Sequence, residues 1–168
     1  SHNVEYLNGI FEMKYNLPIF ISQPYIYIAN NYDNLDTLIK ELPKHSFGLK
    51  GLFPLWALTG IKFIYPKIVD FPIFVNKIEL TTVTLFYDAF YDFGIAGVAV
   101  FSTGLGCIGY FFEKMIRSTR HATFYIIYAQ VFIYLALSFF TTWFSNPATW
   151  FYFIVTMSIF FICEQKGR

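Results

Sequence analysis

The sequence predicts an all-α integral membrane protein, in which an extracytoplasmic region with short, re-entrant or interfacial helices precedes three C-terminal transmembrane helices. Three observations favour this class. The chain is 56% hydrophobic and only 14% charged, three long runs in its C-terminal half carry no charge, and basic residues cluster between and after those runs. A typical soluble domain is about 25% charged. We therefore divide the chain into an extracytoplasmic part, residues 1–92, and a transmembrane part, residues 93–168.

The extracytoplasmic part contains two strongly apolar segments, residues 17–29 and residues 51–65, and both are interrupted by Pro or Gly. Neither segment is long enough, or free enough of Pro and Gly, to predict a transmembrane span, so we interpret both as re-entrant or interfacial pieces. Between them, residues 30–42 carry leucine and isoleucine at helical spacing. This pattern predicts a short amphipathic helix along the membrane surface, with Asp33 or Asn34 as its N-cap.

The transmembrane part contains three predicted spans, at about residues 93–112, 122–144 and 147–163. The first has no charge and is rich in glycine, and a helix of its length covers about 30 Å, the thickness of the hydrocarbon core. Glycines in such a helix let neighbouring backbones approach closely. The third run begins at an Asn-Pro pair, which is typical of a tight turn followed by a helix.

The distribution of Lys and Arg predicts the orientation of these spans. Basic residues stand in the segment between the first two spans and in the C-terminal tail: Lys114, Arg117, Arg120, Lys166 and Arg168. Both segments should face the cytoplasm, and the uncharged turn at residues 145–147 should face outside. Residues 1–92, which carry seven Lys against nine Asp or Glu, then lie on the extracytoplasmic side.

Two acids, Asp88 and Asp92, stand at the outer end of the first predicted span. If the chain is helical there, a spacing of four puts both carboxylates on one face. Carboxylates also favour the positive end of a helix dipole. The pair is therefore either a solvated helix start or a carboxylate site at the membrane surface, and the sequence leaves both readings open.

A small basic cluster in the extracytoplasmic part consists of Lys40, Lys44, His45 and Lys50. These groups are suited to hold a diphosphate, to contact lipid head groups, or simply to be solvated. The sequence has no phosphate-cradling glycine loop, no zinc-ligand spacing and no nucleophile elbow. Its basic residues are too few and too scattered for nucleic acid. We expect no metal and no cofactor.

The stretch TTVTLFYDAFYDFGIAGVAVFSTGLGCIGYFFEK, followed by two more spans, resembles the C-terminal part of oligosaccharide repeat-unit polymerases, the O-antigen or capsule polymerases of the Wzy type. The shared pattern enters a glycine-rich span and stands here as Tyr91, Asp92, Phe93, Gly94 and Gly97. The resemblance covers about residues 20–168. It departs from the family in that no Arg precedes residue 93, so any arginine that holds diphosphate is expected in a preceding part of the protein.

The resemblance implies a multi-pass enzyme of the bacterial cytoplasmic membrane that joins undecaprenyl-diphosphate-linked repeat units into O-antigen, capsule or exopolysaccharide. Its partners would be the lipid-linked glycan, the bilayer, and a chain-length regulator and flippase. The implied catalytic residues are Asp92 first and Asp88 second. The implied substrate contacts are Lys44, His45 and Lys50 for diphosphate, Tyr87 and Tyr91 for sugar rings, and Asn34. Because the chain begins with SHNVEY rather than with Met, we expect an excerpt from a longer protein, or a processed or tagged chain. Three spans are too few to enclose a lipid-linked substrate, so we expect this chain to be inactive by itself.

Three alternatives stay open. The first is another enzyme of lipid-linked glycans, such as an O-antigen ligase, which shares a large outer loop. The second is a non-enzymatic subunit of a transporter or flippase, which should place charges or broken helices near the middle of the membrane. The third is a structural membrane subunit, in which the two acids only mark the topology.

Overall fold

In a computed structural model, which describes residues 2–15, 17–119 and 122–166, every described element is helical. The α-helices are α1 (His2–Ile10), α2 (Ile19–Glu41), α3 (Phe53–Leu58), α4 (Ile61–Ile64), α5 (Phe86–Thr119), α6 (Ala122–Ala136) and α7 (Pro147–Lys166). Short 3-10 turns occupy Pro66–Ile68 and Trp143–Ser145. The all-α expectation is confirmed. Arg120 and Arg168, which contributed to the predicted orientation, lie outside the described residues.

One continuous helix of 23 residues, α2, replaces the predicted apolar piece and the separate amphipathic helix. Pro24 lies in its second turn, where the missing N–H removes a single intrahelical hydrogen bond. The predicted N-cap at Asp33 or Asn34 is wrong, because both residues lie inside this helix. Three buried asparagines of α2, Asn30, Asn31 and Asn34, explain its continuity, since their side chains bind other parts of the chain.

The amide groups of these asparagines satisfy backbone groups of segments that have no regular structure. Asn30 donates to the carbonyl of Leu80 at 2.8 Å. Asn34 donates to the carbonyl of Thr82 at 2.8 Å and accepts from the N–H of Asn76 at 2.8 Å. Asn31 donates to the two successive carbonyls at residues 139 and 140. The segment before α5 and the turn after α6 are thus both fastened to α2.

The predicted re-entrant piece at residues 51–65 forms two short helices, α3 and α4, separated at Gly60. This glycine has φ 76°, a left-handed conformation that glycine adopts without steric cost. Short helices in this region were expected. Chain reversal at Gly60 explains why neither helix extends.

The longest helix, α5, has 34 residues and begins at Phe86 rather than at residue 93. It is interrupted at Phe93 (φ −137°, ψ 15°) and Gly94 (φ 63°, ψ −148°). Its stretch Phe86–Ser118 is the one described helix that is long and apolar enough to cross a membrane. A single such helix is weak evidence for a membrane protein, and it is compatible with the predicted class.

The other two apolar helices, α6 and α7, are shorter. The second predicted span, residues 122–144, is helical only to Ala136. The remainder forms turns because its carbonyls bind elsewhere: Leu85 N–H donates to Ser138 at 3.2 Å, and Asn31 takes the next two carbonyls. The helix α7 begins at Pro147, where the third run was expected to begin. Gln130 of α6 donates to the Thr156 hydroxyl of α7 at 3.1 Å and joins the two helices.

The core lies where α2 packs against the start of α5, around Leu38, Tyr87 and Tyr91. Six partly buried side chains surround these three: Leu35, Leu42, Phe71, Phe74, Val83 and Phe90. Burial of this cluster fixes the first two turns of α5. It therefore fixes the direction in which the acids of α5 point.

Candidate functional site

Asp92 fastens the loop at residues 46–51 to the interruption in α5. Its carboxylate accepts hydrogen bonds from the Ser46 hydroxyl, from the N–H of Lys50 at 3.1 Å and from the N–H of Gly51 at 2.7 Å. The residue is 4% exposed. A buried carboxylate with three donors is fully committed to these contacts. Asp92, which was expected first among the catalytic residues, therefore has the geometry of a residue that orders the loop.

The same loop satisfies the backbone that the interruption leaves without helical partners. Ser46 N–H donates to the carbonyl of Tyr91 at 3.2 Å, and Phe47 N–H donates to the carbonyl of Asp92 at 3.1 Å. Nδ1 of His45 lies 3.3 Å from the Tyr91 carbonyl oxygen, so this nitrogen carries the proton in that bond. Backbone polar groups that leave the helical hydrogen-bond pattern need other partners when they are buried. The loop and the interruption thus form one unit.

Glycines are required at this unit for two different reasons. Gly94 has a backbone conformation that other residues essentially do not adopt, and a β-carbon there would lie 3.2 Å from Nε2 of His45. Gly97 has ordinary backbone, but a β-carbon there would lie 2.3 Å from the Ala89 carbonyl oxygen. The sequence pattern Tyr-Asp-Phe-Gly followed by Gly97 therefore encodes an interrupted helix that is closed against a loop.

Asp88 forms the second half of the site, in an ion pair with Lys50. Nζ of Lys50 lies 3.6 Å from Oδ1 of Asp88, and the two side chains are only 15% and 11% exposed. The ammonium group also faces three aromatic rings, at 4.8 Å from the centroid of Tyr91, 5.5 Å from that of Phe71 and 5.7 Å from that of Tyr87. Cation–π attraction adds to the ion pair when the ammonium is desolvated.

The other carboxylate oxygen of Asp88 faces two hydroxyl groups of the turn between α6 and α7. The Ser145 hydroxyl donates to Oδ2, and the Thr142 hydroxyl lies 3.4 Å from the same atom. The two hydroxyls are 3.0 Å apart. Asp88 is thus bound to Lys50 on one side and to hydroxyl donors on the other.

An apolar groove of about 1270 Å³ starts at the two acids and follows α5. Its polar end contains Asp88, Asp92 and Ser145, and its walls come from the loop at residues 47–52 and from α5, α6 and α7. The α5 residues that line it recur every three or four positions as far as Phe112. At about 1.5 Å per residue, the part after Gly94 is about 27 Å long.

Trp150 borders the polar end of this groove. Its Nε1–H donates to the carbonyl of Phe144 at 2.6 Å, and Phe144 precedes the serine that binds Asp88. The indole is 43% exposed and lines the groove. Its position near the acids follows from the hairpin of α6 and α7, which brings the turn at residues 145–147 to the start of α5.

The structure assigns several predicted substrate contacts to the protein interior. Tyr87 and Tyr91, expected to stack on sugars, are 1% and 4% exposed. The Tyr87 hydroxyl accepts from the N–H of Phe74 at 2.9 Å and donates to its carbonyl at 2.8 Å. Asn34 is fully buried against the segment before α5. The three side chains are therefore buried in this conformation, as burial against neighbouring helices predicts for the two tyrosines, and their roles in binding substrate stay a prediction.

The predicted basic cluster divides into separate environments. Lys50 is paired with Asp88, His45 contacts the interruption in α5, and Lys44 is exposed. Lys40 pairs with Asp36 at 2.5 Å, and the hydrogen bond and charge of Asp36 raise the pKa of Lys40. None of the four is among the residues that line the groove. The expected diphosphate contacts therefore do not converge on it.

Among the residues that the structure describes, no group of three or more His, Cys, Asp or Glu is placed to hold a metal ion. The arrangement instead offers a carboxylate that accepts hydroxyl hydrogen bonds at the mouth of a long apolar groove. Comparisons with models of protein families, with curated proteins and with solved structures found no match for this chain.

Proposed function

We propose that this chain is part of a membrane glycosyltransferase that joins undecaprenyl-diphosphate-linked oligosaccharide repeat units into a surface polysaccharide. The observation that carries the proposal is the groove, which combines about 1270 Å³ of apolar space with a carboxylate at one end. A lipid-linked glycan has the same two parts, a long hydrocarbon chain and a polar head. The resemblance of residues 91–97 to the polymerase pattern supports the same substrate.

The proposed chemistry is transfer of a glycan from its lipid diphosphate to a hydroxyl group of an acceptor repeat unit. The acceptor oxygen forms a bond to the anomeric carbon, the bond from that carbon to the diphosphate breaks, and undecaprenyl diphosphate leaves. The proton of the acceptor hydroxyl passes to a carboxylate. Asp88 suits this role better than Asp92, because its Oδ2 accepts from side-chain hydroxyls that another hydroxyl can replace, whereas Asp92 binds two backbone N–H groups of the loop.

In the proposed topology α5, α6 and α7 cross the bacterial cytoplasmic membrane, with residues 1–92 outside and the C-terminus in the cytoplasm. The contact of Ser145 with Asp88 supports it, since it joins the α6–α7 turn to the start of α5. With 15 residues, α6 covers only about 22 Å of a core of about 30 Å. In this topology the turns at residues 137–142, which pack against α2, cross the remaining thickness of the hydrocarbon core. A chain-length regulator and a flippase are the proposed partners.

The direct test is Asp88→Asn in the gene that encodes this chain, followed by gel analysis of surface glycan length. Loss of polymerase activity leaves single repeat units attached, which is the expected result. A complete absence of attached glycan would favour a ligase. An unchanged ladder at wild-type protein abundance in the membrane would contradict a catalytic role of Asp88. Asp36→Asn is the matched control, because Asp36 pairs with exposed Lys40 and does not line the groove.

One observation favours a second candidate, a transporter or flippase subunit. Transporters place their sites at interrupted membrane helices, and α5 is interrupted at Phe93 and Gly94 beside a carboxylate. The interruption lies near one end of the apolar stretch Phe86–Ser118 rather than at its middle, which is why we rank this candidate second. If it is right, Asp88→Asn leaves lipid-linked repeat units at the cytoplasmic face, where an enzyme that modifies them externally cannot reach them.

A further inference from the structure

We infer that the acid end of the groove binds an uncharged sugar, with Asp88 accepting hydrogen bonds from its hydroxyls and Trp150 providing a flat apolar platform. The inference rests on the proposed function in one respect. If that function is right, the sugar bound here belongs to the acceptor glycan, and the diphosphate of the donor binds elsewhere. The predicted binding itself applies to any amphiphile that joins a neutral sugar to a long hydrocarbon chain.

Asp88 is the first part of this subsite, because it already accepts hydrogen bonds from hydroxyl groups. Ser145 donates to its Oδ2, while Thr142 makes a long contact of 3.4 Å to the same oxygen. A hydroxyl–carboxylate hydrogen bond of this length is weak. A sugar hydroxyl that replaces Thr142 can form a shorter and therefore stronger bond to the same oxygen. Thr142 keeps its partner Ser145, at 3.0 Å, when it is replaced.

Trp150 is the second part of this subsite, because a hydrogen bond holds its indole in place while the residue stays partly exposed. The hydrogen bond from Nε1 to Phe144, at 2.6 Å, uses the polar edge of the indole. Phe153 packs edge-on at 6.1 Å between centroids. The residue is 43% exposed and lines the groove. Sugar rings present C–H groups on one face and hydroxyls at the edge, so a sugar packed on this ring directs hydroxyls to Asp88.

Charge is the third part of the argument. Of the described residues that line the groove, two are carboxylates and none is Lys, Arg or His. The ammonium group of Lys50 pairs with Asp88 and faces the rings of Phe71, Tyr87 and Tyr91. The groove end therefore presents two acidic side chains and no cationic one. A phosphate head group is repelled there, whereas a neutral sugar with hydroxyl donors is not.

The test uses three photoreactive amphiphiles with the same twelve-carbon chain, which carries a diazirine. Their head groups are glucose, phosphate and trimethylammonium. The protein is reconstituted with its full chain in nanodiscs of zwitterionic lipid, and mass spectrometry measures labelling of the peptide that contains residues 100–112. We expect the glucoside to label this peptide about tenfold more than the phosphate, because the acidic side chains at the groove end repel a phosphate group.

The variants are Trp150→Leu and Asp88→Asn, with Trp56→Leu as control. Trp56 also donates its Nε1–H to a backbone carbonyl, that of Leu49, but does not line the groove. We expect Trp150→Leu to lower glucoside labelling about fivefold, and Asp88→Asn about tenfold, while Trp56→Leu leaves it unchanged. A cooperative thermal unfolding transition in each variant shows that it is folded.

Equal or stronger labelling by the phosphate, or strongest labelling by the trimethylammonium amphiphile, overturns the inference. Retention of glucoside labelling in Trp150→Leu also overturns it. These results are distinct from failure of the proposed function, which is read from the surface glycan ladder. Selective glucoside labelling with an unchanged ladder in Asp88→Asn would leave the sugar subsite standing and remove the proposed catalytic role of Asp88.

Discussion

Asp92 and Gly51 fit each other without spare room: Oδ2 of Asp92 accepts the Gly51 N–H at 2.7 Å, and a β-carbon at Gly51 would lie 2.7 Å from the same oxygen. Real β-carbons essentially never approach another heavy atom that closely. The carboxylate cannot move aside, because two other groups of the loop also bind it. Both residues line the groove, so this contact fixes the groove's outer rim.

Replacing Gly51 by Ala should therefore destabilise the fold by about 1–3 kcal/mol, the usual cost of forcing an extra carbon into a packed site. The measurement is the thermal unfolding midpoint in detergent micelles. Gly104→Ala is the control, because a β-carbon at Gly104 meets nothing within 4 Å. Equal midpoints for the two variants would show that the loop does not sit on Asp92 as described.

Asp92→Asn should also loosen the loop. Each carboxylate oxygen of Asp92 accepts a backbone N–H, and the amide nitrogen of Asn can donate but not accept. At least one buried N–H is therefore left unpaired, at a cost of about 1–3 kcal/mol. Limited proteolysis within residues 46–52 measures the loosening. Asp36→Asn makes the same chemical change at an exposed pair and should alter neither cleavage nor stability. Cleavage unchanged by Asp92→Asn would remove the proposed ordering role.

The Lys50–Asp88 pair should behave as a unit in a double-mutant cycle. Lys50→Met leaves a nearly buried carboxylate without its cation, and we expect a loss of about 3 kcal/mol. Adding Asp88→Asn should recover part of this loss, because the remaining group is neutral. Strictly additive effects on the unfolding midpoint would mean that the two side chains are not coupled.

Gly94 and Gly60 both have positive φ, but they should respond differently to substitution. Gly60, with φ 76° and ψ 1°, lies in the left-handed region that Asn tolerates, and open space surrounds it. Gly94, with ψ −148°, lies where essentially only glycine is found. We expect Gly94→Asn to lower protein abundance in the membrane severalfold and Gly60→Asn to leave it near wild type, as measured by immunoblot. Similar abundance of both variants would contradict the interrupted helix.

The sequence was sufficient to predict the helical class and the shared face of the two acids. Asp88 and Asp92 do line one groove, as their spacing of four predicts. The start of α7 at Pro147 was also readable, because proline suits a first helical turn. These features depend on local spacing and composition, which a single sequence displays directly.

The features that were missed depend on contacts between distant parts of the chain. Asn34 is typical of an N-cap, yet it lies inside α2 because carbonyls from residues 80 and 82 bind its side chain. Residues 137–144 are as apolar as a helix requires, yet they turn because Asn31 takes two of their carbonyls. The partners of Asp92 lie 41 to 46 positions earlier. No local pattern encodes such pairings.

The central claim is that α5 crosses the membrane with its acid end outside, and cysteine labelling in intact cells tests it most directly. Cys107 and Cys163 are first replaced by Ala. Single cysteines are then introduced as Lys44→Cys, next to the loop that binds Asp92, and as Ser118→Cys, near the C-terminal end of α5, and both positions are exposed. A membrane-impermeant maleimide should label position 44 in intact cells and position 118 only after permeabilisation. Labelling of position 118 with protection of position 44, or equal labelling of both, would contradict the account.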